Sequence, residues 1–349
     1  MRALVKAAPG PGGLDLVERP VPVPGRGQAR LAVAAVGLCG TDVHILHGSW
    51  SVPIPVVPGH EIAGVVAALG PGVTNVRVGD LVTTETDAYV CGRCRFCRRG
   101  DRHLCPRRIA IGTTSDGGLA DALVVPAGGL HRLPPGVDPV AGALCEPLAV
   151  AVHAVVERGG VRSGDRVVVV GPGTIGLLAA QVSRALGARA TLAGLSRHAD
   201  RAALGRRLGL RRFVVLDAGP PAFGAFDIAI ECSGTVDGLA AAVRLVAKGG
   251  SIVQVGFFAR PTVEIDLDTI VNRELTLVAS RGKRPSSFET AVRLVASGSV
   301  RLGPLVTHRI PLARWEEAFA AAERPGSKVV VVVAPAASAA PLVAERVSG

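Results

Sequence analysis

A chain of 349 residues, 48% of them hydrophobic, is too long for one ordinary core and apolar enough to fill two. Its net charge of +11 comes almost wholly from arginine, since only Lys6, Lys248, Lys283 and Lys328 are lysines. The charge is spread along the chain, with one dense cluster between Arg93 and Arg108, and reads as arginine-rich composition rather than a nucleic-acid surface. Mean hydropathy is +0.40, yet no apolar run reaches the roughly 18 residues of a spanning helix. Met1–Lys6 reads as a first strand rather than a signal peptide, so no membrane partner is expected and the cytoplasm is the expected compartment.

In chain order, residues 1–150 are rich in Gly, Pro and short β-like runs: Arg30–Val36, Ile62–Leu69, Leu81–Thr84 and Leu123–Val125. Turn signals such as Pro71-Gly72 and Gly79-Asp80 separate some of them, as in a compact β-rich domain. From 151 to 285 strands alternate with helices. Val167–Val170, Ala190–Ala193, Phe213–Leu216, Asp227–Glu231 and Ser251–Val255 are strands; Thr174–Leu186 and Arg201–Leu208 are helices. This pattern predicts an α/β unit, a doubly wound parallel sheet with helices on both faces. Residues 286–334 carry helices near Ser287–Ala296 and Trp315–Ala322 and a strand Lys328–Val333, which is expected to rejoin the first domain and make the α/β unit an insertion. Residues 335–349 read as a small-residue tail.

Cys91, Cys94, Cys97 and Cys105 follow C-x2-C-x2-C-x7-C over residues 88–108. Two-residue gaps let successive thiolates converge on one ion, and four sulfurs close a tetrahedral shell with no place for substrate. The spacing therefore predicts a structural zinc, with an iron–sulfur cluster as the alternative. A zinc-knuckle nucleic-acid-binding protein is the alternative of another class, suggested by the surrounding arginines.

A second set is more dispersed. Cys39-Gly-Thr41-Asp-Val-His44 precedes Gly59-His60-Glu61, and Glu146 follows Cys145 much later. Cysteine, histidine and a carboxylate make a three-ligand zinc set with one open position. Taken alone, a distant Cys and His are more often packed core residues. Gly171-Pro-Gly173-Thr174-Ile175-Gly176 follows an apolar strand and opens a helix. That context suits a dinucleotide pyrophosphate at a helix N-terminus.

Together these motifs resemble the zinc-containing medium-chain dehydrogenases over Met1 to about Val333, most closely the polyol (sorbitol-type) and threonine dehydrogenase branches. The resemblance implies a GroES-like catalytic domain carrying a Rossmann insertion, two zinc ions per chain, and hydride transfer between a polyol or other secondary alcohol and NAD(P). L-threonine is the alternative substrate, and a metal-free reductase of the same fold is the nearest rival. It further implies Cys39 and His60 as catalytic zinc ligands, Glu61 or Glu146 as the carboxylate, and Thr41 and His44 as a proton relay that includes the cofactor ribose. Cys145 is read as a packed thiol and Trp50 as a wall of the substrate pocket or ordinary packing. NAD-specific relatives place an acid where Gly194 stands, while Ser196, Arg197 and Arg201 suit the 2′-phosphate of NADP; Asp200 is the residue that would instead hold the ribose. A homo-oligomer, dimer or tetramer, is also implied.

Overall fold

The strand Gln28–Gly37 has Ala29, Leu31 and Val33 at alternate positions, and all three are fully buried, as the period of two in a strand requires. Around it, in a computed structural model that describes residues 1–219, 223–259 and 262–333, a sheet assembles. Its order is His308–Pro311, Val329–Val332, Gln28–Gly37, Glu61–Leu69, Leu81–Thr84, Leu130–Arg132, and Ala122–Pro126 also pairs with Gln28–Gly37. Neighbours run antiparallel except His308–Pro311 beside Val329–Val332, which is parallel. The late strand thus rejoins the early sheet, as the sequence predicts. Leu31, Val33, Val36, Ile62, Val66, Leu119, Phe319 and Val331 share its core, and Trp315 meets Phe319 edge-on at 6.0 Å.

Register decides what this sheet presents at one end. Gly37 lies opposite both Glu61 and Val330. The segments Leu38-Cys39, His60-Glu61 and Lys328 therefore leave or enter three adjacent strands at the same edge.

The second unit is a six-stranded sheet, all parallel, with Val167–Val170 at its fully buried centre. The strand order is Phe213–Val215, Arg189–Gly194, Arg166–Val170, Phe226–Glu231, Val246–Gln254, Thr276–Ala279. Two βα runs wind outward in opposite directions from Arg166–Val170, the doubly wound topology that sets ligands at the carboxyl ends of the strands. Helices Thr174–Ala185, Ala199–Arg207, Val236–Leu245 and Pro285–Ala296 intervene or follow. Val236–Leu245 starts at Thr235, whose hydroxyl accepts from the Gly238 N–H at 3.0 Å.

The two compact units are Met1–Glu146 with the segment from Val306 onward, and Pro147–Leu305. The division therefore falls at 146 and 305 rather than at 150 and 285. Pro285–Ala296 stays with the second unit because its first turn is tied there: Ser286 and Ser287 hydroxyls donate to Glu157 at 2.8 and 2.9 Å. Arg301 and Gln181 extend the tie, backbone N–H to side-chain oxygen at 3.0 Å. The boundary at 146 lies within a helical run, Pro139–Arg158, which periodicity did not reveal. It is long and apolar enough to cross a membrane, but 78% of its apolar window is buried in the fold. Residues 335–349 lie outside the described residues.

Glu157 sits in the last, π-helical part of that run, His153–Arg158, beside His153, with Arg284 Nε 3.6 Å away. Burial pushes its carboxyl up, but hydrogen bonds from His153, Ser286 and Ser287 outweigh this and hold it below the usual glutamate value. The stability it contributes is therefore complete above the ordinary value of 4.5 and drains away as pH falls through the depressed folded value. Glu157→Gln should cost about 1–3 kcal/mol at pH 7. The gap to wild type should close in thermal melts taken from pH 6 down to 3; a gap constant with pH would contradict this account.

Candidate active site and metal centres

In the small lobe the four cysteines converge. Their ligand atoms all lie within 4.8 Å of one another, with Cys91 and Cys97 sulfurs 4.0 Å apart and Cys91 and Cys105 sulfurs 3.6 Å apart. A tetrahedral ZnS4 unit with Zn–S near 2.3 Å has an S–S edge of about 3.8 Å, so the cluster fits zinc. Backbone N–H groups of Arg93 and Cys94 draw the Cys91 thiol down to about 6, whereas burial and neighbouring sulfurs push Cys97 up to about 12. Several lobe arginines are engaged locally: Arg108 with Asp87 at 2.5 Å, and Arg95 over the Phe96 ring at 4.6 Å.

The second cluster forms at the edge where the three strands end. Ligand atoms of Cys39, His60 and Glu61 lie within 4.8 Å of one another. Cys39 caps the short helix Gly40–Leu46, and Asp42, fully buried, accepts from the Cys39 N–H at 2.9 Å through one oxygen. Its other oxygen accepts from the Gly59 N–H at 3.0 Å and lies 3.8 Å from His60 Nδ1. One carboxylate thus holds both ligand-bearing segments. Glu61 occupies space that only a glycine opposite leaves open, since a Cβ at Gly37 would lie 2.0 Å from Glu61 Oε2. Lys328 Nζ reaches Glu61 Oε1 at 2.6 Å, Oε2 at 2.5 Å and the Leu38 carbonyl at 3.0 Å. Burial, then Glu61 and Asp42, push the Cys39 thiol up, with Lys328 pulling the other way. Such a donor set, buried and rich in carboxylate, suits a divalent cation.

Glu146, buried in the first turn of Cys145–Val152, stands outside the group of three. Cys145 also stands outside it and is fully buried, its thiol pushed up to about 12 by burial. Thr41 and His44 sit three apart on Gly40–Leu46, hence on one face. The Thr41 hydroxyl is 3.9 Å from Cys39 sulfur, while His44 is exposed with Nδ1 3.0 Å from the Ser49 hydroxyl. Trp50 is 37% exposed, and its backbone N–H donates to the His44 carbonyl.

In the second unit the glycine loop has the shape its sequence predicts. Gly171 has φ +94°, and a Cβ there would meet the Ser233 nitrogen at 2.7 Å. A Cβ at Gly176 would lie 2.0 Å from the Gly171 carbonyl, whereas the Gly173 position opens to free space at the start of Thr174–Ala185. Thr174 and Ile175 form the first turn, half-buried. Ser196 and Arg197 are exposed after Arg189–Gly194. Arg201 is buried, and its Nε donates to the Pro172 carbonyl at 3.0 Å, within the glycine loop.

Residues 25–135 match the family model of the alcohol dehydrogenase GroES-like domain, and residues 174–297 that of zinc-binding dehydrogenases. The chain is 36% identical to a sorbitol dehydrogenase of Halalkalibacterium halodurans, over 96% of this chain and 99% of that one. It is 38% identical to an L-threonine 3-dehydrogenase of Saccharopolyspora erythraea, over 91% and 95% of the two chains. A zinc-binding dehydrogenase of Sinorhizobium meliloti 1021, solved with NADP bound, superposes with a TM-score of 0.87 at 32% identity, covering 95% and 99%. The chain belongs to the zinc-containing medium-chain dehydrogenases. Its β-rich unit is the GroES-like domain and its parallel-sheet unit the Rossmann domain.

Two residues that position the Cys39, His60 and Glu61 group in this dehydrogenase do not stand out in the sequence. Asp42 carried a signal, since it stands three residues after a helix-capping position, where a side chain folds back onto the cap N–H. Lys328 carried none beyond being one of four lysines. Replacing Asp42 by Ala strands the N–H groups of Cys39 and Gly59. The expected result is a 10–100-fold loss of zinc affinity in chelator competition, the range for removing a ligand's supporting partner. Unchanged affinity would mean that Asp42 only caps the helix.

Proposed function

We propose that the chain oxidises a polyol or other secondary alcohol at a zinc centre formed by Cys39, His60 and Glu61, passing hydride to NAD(P). The observation that carries this reading is the convergence of those three ligand atoms within 4.8 Å, beside a separate four-sulfur cluster. Two zinc ions per chain follow: one in the four-cysteine shell of Cys91, Cys94, Cys97 and Cys105, the other with an open position for substrate. Glu61 is preferred to Glu146 as the carboxylate because it alone joins the group.

Bound there, zinc supplies Lewis acidity that makes loss of the alcohol proton easier. The chain's own residues do the rest. Asp42 fixes the Cys39 and Gly59 backbones and so the spacing of the first two ligands. Lys328 balances the Glu61 charge. Thr41, its hydroxyl 3.9 Å from Cys39 sulfur, takes the substrate proton. His44, one turn on and exposed, passes it to water, since an imidazole can both accept and donate a proton. The substrate carbon loses a hydride, the hydroxyl loses a proton, and a ketone and reduced nicotinamide result. Gly171, Gly173 and Gly176 leave the N-terminus of Thr174–Ala185 open to pyrophosphate.

NADP is the coenzyme to test first on the residues after Gly194, because Gly194 itself offers no carboxylate and Ser196 and Arg197 are exposed next to it; Arg201 is buried, with its Nε on the Pro172 carbonyl. L-threonine is the second substrate to test, favoured by 38% identity to the Saccharopolyspora enzyme and by the Thr41/His44 pair. The same reading takes the enzyme as a cytoplasmic homo-oligomer, a dimer or tetramer, as the family resemblance implies.

A panel of polyols, diols and L-threonine, run with NAD and with NADP and followed by absorbance of the reduced coenzyme, identifies substrate and coenzyme. Cys39→Ala and His60→Ala should each lower turnover by about 10³-fold or more, the weight of several kcal/mol of Lewis-acid stabilisation. Zinc content should fall from two ions per chain to one, with coenzyme binding intact. Cys97→Ser should release the other ion and lower thermal stability. Wild-type turnover in both the Cys39 and His60 variants would remove the reading.

A further inference from the structure

At the carboxyl end of the strand Arg189–Gly194, where a coenzyme's adenosine ribose would be held, there is no room for an acidic side chain. A Cβ at Gly194 would lie 2.9 Å from His198 Nδ1 and 3.0 Å from the Pro172 ring carbons. A carboxylate reaches this loop instead from just beyond the next strand, Phe213–Val215. Gly194 pairs with Val215, and the Leu216 N–H donates to the Gly194 carbonyl at 2.8 Å, so the loops leaving the two strands run side by side. Asp217, one residue further, then bridges to Ser196 with both oxygens: Oδ1 accepts the Ser196 N–H at 2.7 Å and Oδ2 accepts its hydroxyl at 2.7 Å.

These are the two neutral donors that the reading above assigns to a 2′-phosphate. We propose that Asp217 is the residue that sets coenzyme preference in this chain, by holding the Ser196 N–H and hydroxyl as a tethered anion that a 2′-phosphate must displace. The inference rests on the reading of the chain as NAD(P)-dependent and adds the competitor within its coenzyme site. NAD, with a plain 2′-hydroxyl, can bind with the Asp217–Ser196 bridge intact. NADP brings close to two negative charges to the same donors. It gains charge-assisted bonds there and contact with Arg197, but only after the carboxylate moves, and it still faces repulsion from the displaced carboxylate. The Ser196 hydroxyl and N–H, with Arg197 nearby, hold the Asp217 carboxyl below its ordinary range, so it is charged at neutral pH. Two exposed partners at this site leave the bridge open to exchange, which is what a displaceable anion requires.

The decisive variant is Asp217→Asn, which keeps the shape and removes the charge; Asp217→Ala serves if the amide retains the bridge. Binding of NAD and NADP is measured on the full chain by titration calorimetry, with Ser196→Ala as a second variant. The expected result is NADP affinity higher by about tenfold in the Asp217 variants, since a single unit charge a few ångströms away at a surface is worth of order 1 kcal/mol or more. NAD affinity should be unchanged. Ser196→Ala, made in the Asp217→Asn background, should take back most of the NADP gain. An unchanged NADP-to-NAD ratio would overturn the proposal. So would a fall in NAD affinity on losing the carboxylate, which would make Asp217 a ribose ligand instead. If the wild type binds neither coenzyme, the functional reading falls and this inference with it; if NAD binds normally and the ratio does not move, only the inference falls.

Discussion

The end of the β-rich unit where Cys39, His60 and Glu61 converge depends on one buried ion pair, Lys328 with Glu61, whose side chains are 5% and 3% exposed. Such a pair is costly: each charge loses several kcal/mol of hydration, and attraction repays this only with good geometry and added hydrogen bonds. Here both carboxylate oxygens lie within 2.6 Å of the ammonium, which also donates to the Leu38 carbonyl. Gly37, Glu61 and Lys328 are then mutually required. Any side chain at Gly37 collides with the carboxylate, and either charge alone would be stranded in the core. Sheet register brings them together from positions nearly three hundred residues apart, which makes return of the last strand to the first sheet a condition of the site.

The two clusters carry charge in different ways, and this explains their different surroundings. In the small lobe, backbone N–H groups point at sulfur and draw the Cys91 thiol down, so the lobe favours thiolate through local donors. At Cys39 burial and then the carboxylates of Glu61 and Asp42 push the thiol up, against Lys328 and the Thr41 backbone N–H. A thiolate there needs a cation to offset Glu61 and Asp42. The first environment suits a closed shell of four sulfurs. The second suits a mixed set in which one strong positive charge is shared among unlike ligands and a substrate oxygen.

Much of this was legible in the sequence. The strands Leu81–Thr84 and Val167–Val170, the helices Thr174–Ala185 and Trp315–Ala322, the four-cysteine spacing and the glycine turn follow from local rules of period, propensity and spacing, and the structure has them within a residue or two. What was not legible depends on distant partners. The run Pro139–Arg158 is buried on most sides, so it shows no amphipathic stripe to read. The second unit extends to Leu305 because of Glu157 with Ser286 and Ser287, contacts that span about 130 positions. Asp42 left a local trace in its capping position; Lys328, set by sheet register alone, left none.

Charged residues near a motif were the least safe reading, for one physical reason. A sequence shows where a charge is, not what already holds it. Arg201 looked like a phosphate ligand, and its Nε already donates to the Pro172 carbonyl. Glu146, adjacent to a cysteine in a metal-like motif, is not one of the three residues whose ligand atoms all lie within 4.8 Å of one another. Glu61 joins them yet is held by Lys328, and Ser196 offers donors that Asp217 already fills. At Arg201 and Glu61 the cost of leaving a buried polar group unsatisfied selects an internal partner first. An external ligand must then either displace that partner or bind alongside it. At Glu61 the partner is a cation, which leaves the carboxylate charged and able to share itself with a metal; at Ser196 the partner is an anion, which puts it in direct competition with a phosphate. The sign of the internal partner, rather than the identity of the exposed residue, decides whether such a site is primed for its ligand or guarded against it.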